Sequence, residues 1–257
     1  MKNDSSPSRR ELLRNSLGLA GGLVALTHAV AEACGLTPAQ TSGPFYPVSK
    51  ITDESINDLT RIQGRTKMAK GEVVYISGTV TDESCKPITG ALVEFWQAAA
   101  SGRYNHPSDT SGLELDPDFQ NWGEFLTDGE GKFCFKTIIP GHYPADTNWT
   151  RPPHIHVKVS KRGMRELVTQ MYFTPNSFEG AKVALVEELN RKDSILQAVH
   201  DKDLVIVSFT RTTTATTVGP LVAYRQTGEN VTLVKVGELV AAKHEKLGTF
   251  NITMKRG

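Results

Sequence analysis

Most of the chain repeats one local pattern, in which a short apolar or alternating segment is followed by turn residues. Residues 73–80 alternate between apolar and polar side chains, and D-E-S-C-K-P follows with turn composition. Residues 91–97 form the next such segment, and residues 127–131 (T-D-G-E-G) indicate a hairpin turn between residues 124–126 and 133–137. Strand signals at this density predict packed β-sheets rather than a helical fold.

The same pattern continues to the C-terminus with one exception. Residues 178–190 have a helical period that places Ala181, Leu185 and Leu189 on one stripe. Residues 51–70 have only a weak helical period. Many short strands with turn punctuation predict a mainly β fold, a β-sandwich or a barrel. We favour a β-sandwich core with a small helical N-terminal segment and one helix in the C-terminal part. The further strand candidates are residues 154–160, 167–173, 204–210, 221–224, 231–236 and 249–254.

The first 33 residues have the composition of an export signal. Arg9 and Arg10 precede an apolar, Gly- and Ala-rich run of about fourteen residues, which is too short to span a membrane as a helix. Ala31-Glu32-Ala33 then resembles an A-x-A cleavage site, and adjacent arginines are typical of a twin-arginine signal. We therefore predict an export signal at residues 1–33, an N-terminal segment at residues 34–70 and one β-sandwich domain at residues 71–257, which carries the chemistry.

Export predicts a periplasmic or secreted protein in a bacterium, with no stable membrane insertion once the signal is removed. Two alternatives stay open for this segment. One is an amphipathic N-terminal helix. The other is a lipid anchor on Cys34, which follows the cleavage site directly, although Glu32 fits a lipobox poorly.

Charge and cysteine content narrow the function classes. A formal net charge of +1 without a basic stripe gives no support for a nucleic-acid partner. The cysteines, Cys34, Cys85 and Cys134, are too few for a disulfide scaffold and lack the spacing of a thiolate zinc site. In an oxidising compartment Cys85 and Cys134 could pair, but the sequence does not show that they meet.

The stretch R-P-P-H-I-H-V places two histidines two residues apart at the start of a predicted strand. Pro152 and Pro153 cannot donate ladder hydrogen bonds, so the strand must begin after them. Alternate side chains of a strand share a face, so His154 and His156 project together. They are either half of a metal site or a pair of surface histidines at a strand edge, and the dipeptide pattern alone favours neither.

Two tyrosine-bearing loops precede the histidines. Tyr104 lies in G-R-Y-N-H-P after the second strand, and Tyr143 lies in P-G-H-Y-P just before the histidine strand. Loop tyrosines are usually surface or packing residues. Here no carboxylate accompanies the histidines, and two phenolates with two imidazoles would form a hard, anionic site suited to Fe(III). Two histidines with one carboxylate would suit Fe(II) instead, and three histidines would suit zinc.

These motifs resemble those of the intradiol ring-cleavage dioxygenases, nearest the protocatechuate 3,4-dioxygenase group. The resemblance covers roughly residues 37–174. It rests on G-R-Y-N-H-P, P-G-H-Y-P, R-P-P-H-I-H and V-T-Q-M-Y-F in that order, together with T-S-G-P-F-Y-P and G-A-L-V-E-F-W-Q. It implies a non-haem Fe(III) cofactor held by four ligands, which are Tyr104, Tyr143, His154 and His156.

The resemblance also implies an activity and roles for nearby residues. The substrates would be a small aromatic diol and O₂, and ring opening between the two hydroxylated carbons would give a cis,cis-muconate. Tyr143 would accept a substrate proton, Arg151 would stabilise negative charge that develops on the ring, and Gln170 would orient the same region. The implied enzyme could act as a homo-oligomer.

The chain also departs from the family pattern. Ala145 replaces the aromatic residue expected after Y-P, and the pattern fades beyond Thr174. Both changes leave the choice of catechol open. The alternative function is an exported, non-catalytic β-sandwich binding module that kept the scaffold, but such a module would be expected to have lost at least one ligand.

Overall fold

β1 (Val73–Asp82) buries one face, as the alternation in its sequence predicts. Its apolar residues Val74, Ile76 and Val80 are fully buried. The computed structural model describes residues 34–48, 57–62, 64–227 and 230–257, and for residues 224–227 and 230–233 it describes the backbone only. β1 is the centre of the first sheet. It pairs in parallel with β13 (Lys246–Thr249) and β14 (Ile252–Met254), and antiparallel with β4 (Lys132–Ile138).

The second sheet carries the histidine strand. Its strand order is β3-β2-β7-β8-β9, in which β7 (His154–Ser160) lies between β2 and β8. The two sheets pack face to face, and Phe95 of β2 stacks on Phe135 of β4 with 3.9 Å between the ring centroids. The other strands of this sheet are β2 (Leu92–Gln97), β3 (Trp122–Leu126), β8 (Leu167–Phe173) and β9 (Ile206–Val207). The predicted β-sandwich core is therefore confirmed.

Smaller elements complete the fold. β10 (Phe209–Arg211) pairs with β13 at the edge of the first sheet. β5 (Tyr143–Pro144) and β6 (Thr150–Arg151) form a two-residue ladder of their own. A long hairpin is made by β11 (Thr216–Thr227) and β12 (Asn230–Ala241).

The predicted C-terminal helix is present as α1 (Ala181–Lys192), followed by the single turn α2 (Ser194–Gln197). The predicted stripe on it was wrong. Ala181 and Leu185 are exposed, and the helix buries Val186 and Leu189 instead. The helix begins three residues later than predicted, after a 3₁₀ turn at Pro175–Ser177, and its buried residues Val186 and Leu189 are spaced three apart and not four as in the predicted stripe.

Two strand predictions were wrong for a shared reason. Residues 127–131 do form a tight turn, but β3 on one side belongs to the second sheet and β4 on the other belongs to the first, so the turn joins the layers and is not a hairpin. Residues 249–254 divide into β13 and β14, and both pair with β1. Local pattern marks an extended segment, but long-range pairing decides its sheet.

The N-terminal prediction is only partly within the described residues. The export signal at residues 1–33 lies outside them, and so do residues 51–56 and 63 of the segment with a weak helical period, residues 51–70. The described parts of residues 34–70 contain turns and no helix. Within the described part of the chain no helix approaches the length and apolar character that a membrane crossing requires, and α1 has only 12 residues.

Candidate metal centre

The histidine strand buries both of its faces. Ile155 and Val157 join the core between the sheets, whereas His154 and His156 project from the opposite face. The exposed fraction of these histidines is only 2% and 1%, and β7 is an interior strand. A pair of surface histidines at a strand edge is therefore excluded.

Three candidate ligand atoms converge beside this strand. The Nε2 atoms of His154 and His156 lie 3.2 Å apart, and Tyr143 Oη lies 3.5 Å from His154 Nε2. The Tyr104 ring lies 5.3 Å from the Tyr143 ring, centroid to centroid. Tyr104 Oη is buried and has no hydrogen-bond partner. The four residues that the sequence predicted as ligands are thus brought together from β7, β5 and the loop after β2.

Two glycines let the tyrosine loops meet. A Cβ at Gly141 would lie 2.4 Å from the backbone nitrogen of Gly102, and a Cβ at Gly102 would lie 2.3 Å from the carbonyl oxygen of His142. The φ angle of Gly102 is +89°, which other residues rarely adopt. Only glycine at both positions permits this backbone contact, which places Tyr104 and Tyr143 side by side.

Each histidine is held in one orientation. His154 Nδ1 lies 2.7 Å from the Pro152 carbonyl oxygen, so it donates its proton there and Nε2 keeps a free lone pair. The ring of His156 stacks on Trp96, with 4.9 Å between centroids and 6° between planes. His154 Nε2 therefore faces Tyr143 as an electron-pair donor, and His156 Nε2 lies 3.2 Å from it.

Burial sets the charge state of this site. It raises the pKa of Tyr104 well above its usual value, and it also raises the pKa of Tyr143, which the Arg151 charge opposes. Burial and the Arg151 charge lower the pKa of His154 and bring that of His156 to about 3. Without a cation the four groups are neutral, and a bound multivalent cation would favour the two phenolates.

The donor set fits a ferric ion. Two imidazole Nε2 atoms and two phenol oxygens are buried together, and the Tyr104 oxygen has no hydrogen-bond partner among the described residues. Among the described residues there is no group of three or more His, Cys, Asp or Glu side chains of the kind that would hold zinc or a ferrous ion. This set would bind Fe(III) in preference to those metals.

Arg151 lies beside the site as the cross-strand neighbour of Tyr143. Its Nε donates to Asp193 Oδ2 (2.6 Å), and its Nη2 donates to Gln170 Oε1 (2.7 Å), Tyr172 Oη (3.0 Å) and Asp193 Oδ1 (3.4 Å). Trp149 covers the guanidinium with its ring centroid 5.2 Å from Cζ. The guanidinium is therefore fixed in the interior and does not point into solvent.

Gln170 links Arg151 to the N-terminal strap, defined here as residues 34–48. Its Oε1 accepts from Arg151 and from Tyr172 Oη, and its Nε2 donates to the Thr41 carbonyl (2.8 Å). Tyr172 Oη also lies 3.2 Å from Gln40 Oε1. Sequence reasoning found Arg151 and Gln170 but missed Asp193 and Tyr172. A signal for Asp193 was present, since Asp followed by Ser-Ile-Leu-Gln has the pattern of a helix N-cap.

Comparison with known proteins shows which family the chain belongs to. A family model described as Dioxygenase matches residues 41–209. The chain belongs to the intradiol ring-cleavage dioxygenase family. It is 45% identical over 121 residues to the protocatechuate 3,4-dioxygenase beta chain of Burkholderia cepacia, an alignment that covers 46% of this chain and 51% of that one. The chain thus spans about half the length of this relative.

More distant members match over longer stretches. The catechol 1,2-dioxygenase of Candida albicans is 29% identical over 222 residues, which cover 79% of this chain and 69% of that one. The crystal structure of catechol 1,2-dioxygenase from Pseudomonas arvilla C-1 superposes with a TM-score of 0.56 at 22% identity, covering 96% of this chain and 68% of that chain. The latter supports the fold alone.

The strap closes one side of the candidate metal centre. Phe45 stacks on Tyr104 with 4.4 Å between centroids and meets the edge of Tyr143 at 5.9 Å. Gly43 has a φ of +63°, and a Cβ there would lie 3.4 Å from His156 Cε1. The motif T-S-G-P-F-Y-P therefore has its role here: its glycine passes over His156 and its phenylalanine shields both tyrosines.

A disulfide anchors the strap. Cys34 is bonded to Cys85 in the turn after β1, whereas Cys134 is a free, buried thiol. The pairing of Cys85 with Cys134, which the sequence left open, is therefore not formed, because Cys134 lies on β4 under the β11–β12 hairpin, where burial raises its pKa to about 12. The spacing of the cysteines in the sequence could not reveal the Cys34–Cys85 bond, since the two residues are 51 positions apart and meet only in the folded chain.

The remaining histidines near the motifs do not join the ligands. His106 packs its ring edge against Phe45 at 5.8 Å, beside a cavity of about 300 Å³ that Tyr104 also lines. His142, His200 and His244 are exposed. None of these histidines contributes a nitrogen to the cluster formed by His154, His156 and the tyrosines.

Proposed function

We propose that this protein is a ferric non-haem dioxygenase that opens a catechol-type ring between its two hydroxylated carbons with O₂ and forms a cis,cis-muconate. The observation that carries the proposal is the convergence of two imidazole nitrogens with two buried tyrosines in a site without carboxylates. Tyr104, Tyr143, His154 and His156 would hold the Fe(III). When bound, the ion would supply Lewis acidity toward a chelating diol and a template for its orientation.

Tyr143 is the proposed proton acceptor. Burial raises the pKa of its hydroxyl group, so once displaced from a cation its phenolate would take up a proton. A catechol hydroxyl placed at Tyr143 Oη would therefore transfer its proton there. The neighbouring Arg151 charge opposes the effect of burial, which keeps the phenolate accessible before the proton arrives.

Arg151 would stabilise the negative charge of the deprotonated ring. None of the four hydrogen bonds of its guanidinium uses Nη1, so this group is available to face a ligand. A fixed cation in a buried site stabilises charge without reorganising. Gln170 would keep Nη2 turned away from the ligand, and Phe45 would limit the access of water to the tyrosines.

A panel of diols tests this function. Catechol, protocatechuate, hydroxyquinol and chlorocatechols would each be added to the iron-loaded protein while O₂ uptake and the product spectrum are recorded. We expect O₂ and diol to disappear in equal amounts, with a muconate-type product from at least one of them. A protein that binds catechols but consumes no O₂ would contradict the proposal and support the binding-module alternative.

We also propose that the protein is exported to the periplasm or secreted. The Cys34–Cys85 disulfide supports this, because such bonds persist in oxidising compartments. The disulfide also argues against a lipid on Cys34, since both modifications need the same sulfur. Changing Arg9 and Arg10 to Lys should retain the precursor in the cytoplasm, and the mature N-terminus should lie near Cys34. An intact Met1 on exported protein would contradict cleavage.

Assembly into a homo-oligomer is part of the same proposal. The four candidate ligands come from one chain, so each copy would have a complete site. The relatives named as alpha and beta chains support association within the family. Light scattering of the mature protein would measure its mass directly, and a monomer at micromolar concentration would contradict this part.

A further inference from the structure

We propose that Asp193 is a positioning residue that fixes Arg151 for catalysis, and that the first turn of α2 is the support of this pair. The inference rests on the proposed function, because Arg151 acts on a bound diol there. Asp193 lies 42 residues after Arg151, beyond the motifs R-P-P-H-I-H and V-T-Q-M-Y-F and within the residues that the family model matches.

The two oxygens of Asp193 have separate roles. Oδ2 accepts the Arg151 Nε proton at 2.6 Å, whereas Oδ1 accepts the backbone N–H of Leu196 at 2.8 Å, which caps α2, and has only a longer contact with Arg151 Nη2 at 3.4 Å. The side chain is fully buried, with an exposed fraction of 0%. The helix cap therefore fixes the carboxylate, and the carboxylate fixes the guanidinium.

The remaining contacts of Arg151 cannot replace this one. Gln170 and Tyr172 both bind Nη2, and Trp149 packs against the face of the guanidinium. Asp193 is the acceptor of the Arg151 Nε proton, and this hydrogen bond sets the rotation of the guanidinium about its long axis. Without the carboxylate, the plane of Arg151 and the direction of its Nη1 would no longer be set.

The network has a second anchor in the same cluster. Tyr172 is fully buried and packs with Leu196, the residue whose backbone N–H donates to Asp193 Oδ1. Its hydroxyl accepts from Arg151 Nη2 and donates toward Gln170 or Gln40. Arg151 is thus held between α2, β8 and the strap, three elements that come together only in the folded chain.

Asp193→Asn separates the two roles of the carboxylate. Asparagine caps a helix about as well as aspartate, so α2 should remain, but the charged acceptor of Nε is lost. We expect kcat to fall by roughly 10- to 100-fold, the range for residues that orient groups of a metal site, with iron content unchanged and KM altered much less. A purely structural Asp193 would leave kcat unchanged in this variant.

Asp58 provides a matched control. It is also buried, caps the N–H of Thr60 through Oδ1 (3.0 Å) and pairs with Lys136 through Oδ2 (3.3 Å), but it lies on the first sheet. Asp58→Asn should lose a comparable amount of stability and keep kcat. An equal fall of kcat in both variants would show a general effect of destabilisation and overturn the proposal.

Arg151→Lys tests whether Asp193 acts through Arg151. If it does, the double variant Arg151→Lys/Asp193→Asn should turn over no more slowly than Arg151→Lys alone, because the group that Asp193 positions is already changed. Additive losses in the double variant would mean that Asp193 acts by another route, and they would contradict the proposal.

A measurement on the iron-free protein keeps this inference separate from the proposed function. The Nε–H of Arg151 should give an NMR signal protected from water exchange, assigned by its absence in Arg151→Lys. It should persist in Asp58→Asn and be lost in Asp193→Asn. A wild-type protein without this signal, or an Asp193→Asn variant that keeps it, would refute the proposal that Asp193 fixes Arg151. If the signal behaves as expected but no diol is cleaved, the proposed function alone fails.

Discussion

Arg151 shows at the scale of a single residue how the structure changes an expectation. The sequence left two roles for it, a charge that acts on the substrate or a surface ion pair worth about 0–1 kcal/mol. Its carboxylate partner is Asp193, and both side chains are buried. Removing a group from such a pair leaves an uncompensated charge in the interior, which costs far more than loss of a surface pair.

Arg151→Ala should therefore destabilise the protein as well as slow its turnover. We expect the free energy of unfolding to fall by about 3–5 kcal/mol in urea titrations, because the Asp193 carboxylate stays buried without its cation. Lys192→Ala is the control, since Lys192 pairs with Glu188 at the surface, where an (i, i+4) bridge contributes about 0.3–0.5 kcal/mol. Similar small losses in both variants would show that the Arg151 pair behaves as a surface bridge.

The histidines predict a pH dependence of stability in the iron-free protein. Burial lowers the pKa of His154, and brings that of His156 to about 3, whereas an unfolded histidine titrates near 6.5. Between these values the unfolded chain binds more protons, so stability falls as pH falls. Each histidine contributes up to about 1.4 kcal/mol per pH unit below 6.5.

Urea titrations of the iron-free protein at pH 7, 6, 5 and 4.5 would measure this slope. The carboxylates with lowered pKa, Asp82, Asp109 and Glu188, lose their contribution only near and below their unfolded pKa of about 4, so between pH 7 and 5 the slope reports on the histidines. His156→Asn should halve the slope. Constant stability from pH 7 to 4.5 would contradict the assignment of neutral, buried imidazoles.

At the scale of elements, the tyrosine loops depend on two glycines that pack backbone to backbone. Gly141→Ala would place its Cβ 2.4 Å from Gly102 N, so one loop must move. We expect a loss of about 1–3 kcal/mol in stability and weaker iron binding, because Tyr104 and Tyr143 would separate. Gly129→Ala, where a Cβ meets nothing within 4 Å, should change neither. Unchanged iron affinity in Gly141→Ala would show that the contact does not position the tyrosines.

The strap depends on its disulfide. The bond joins cysteines 51 residues apart, and a loop of that length implies a stabilisation of about 4 kcal/mol on chain-entropy grounds. Cys34→Ser/Cys85→Ser should lose most of it and release iron faster, since the strap carries Phe45 and the Thr41 carbonyl. Dithiothreitol should affect the wild type and leave the double variant unchanged. Equal iron release from both proteins would mean that the strap holds its place without the bond.

These elements show what the sequence could and could not predict. Strand period placed His154 and His156 on one face, since that geometry is local, and the family motifs supplied Tyr104 and Tyr143 as partners. Asp193, the Cys34–Cys85 bond and the division of residues 124–137 between two sheets are consequences of long-range packing. The stripe of α1 failed because Ala181 and Leu185 lie on the exposed side of the helix, whereas Val186 and Leu189 face the core, and local periodicity does not decide which side packs inward.

At the scale of the whole molecule, the sandwich serves as a rigid support for one buried centre. The second sheet supplies both histidines from an interior strand. The loop after β2 supplies Tyr104, the β5–β6 ladder supplies Tyr143, and Phe45 of the strap covers both tyrosines. Arg151 is held at the same place by α2 and β8. The chemistry therefore depends on elements that are distant in the sequence, and the central claim is that they assemble one ferric site.

The most direct test of that claim is the visible absorption spectrum of the iron-loaded protein. Phenolate bound to Fe(III) absorbs visible light by charge transfer, so the wild type should be red to burgundy. Tyr104→Phe should shift or weaken the band, and His154→Ala should lose iron and colour together. A colourless wild type that binds zinc fully and does not respond to added iron would contradict the assignment of Tyr104, Tyr143, His154 and His156 as ligands of a ferric ion.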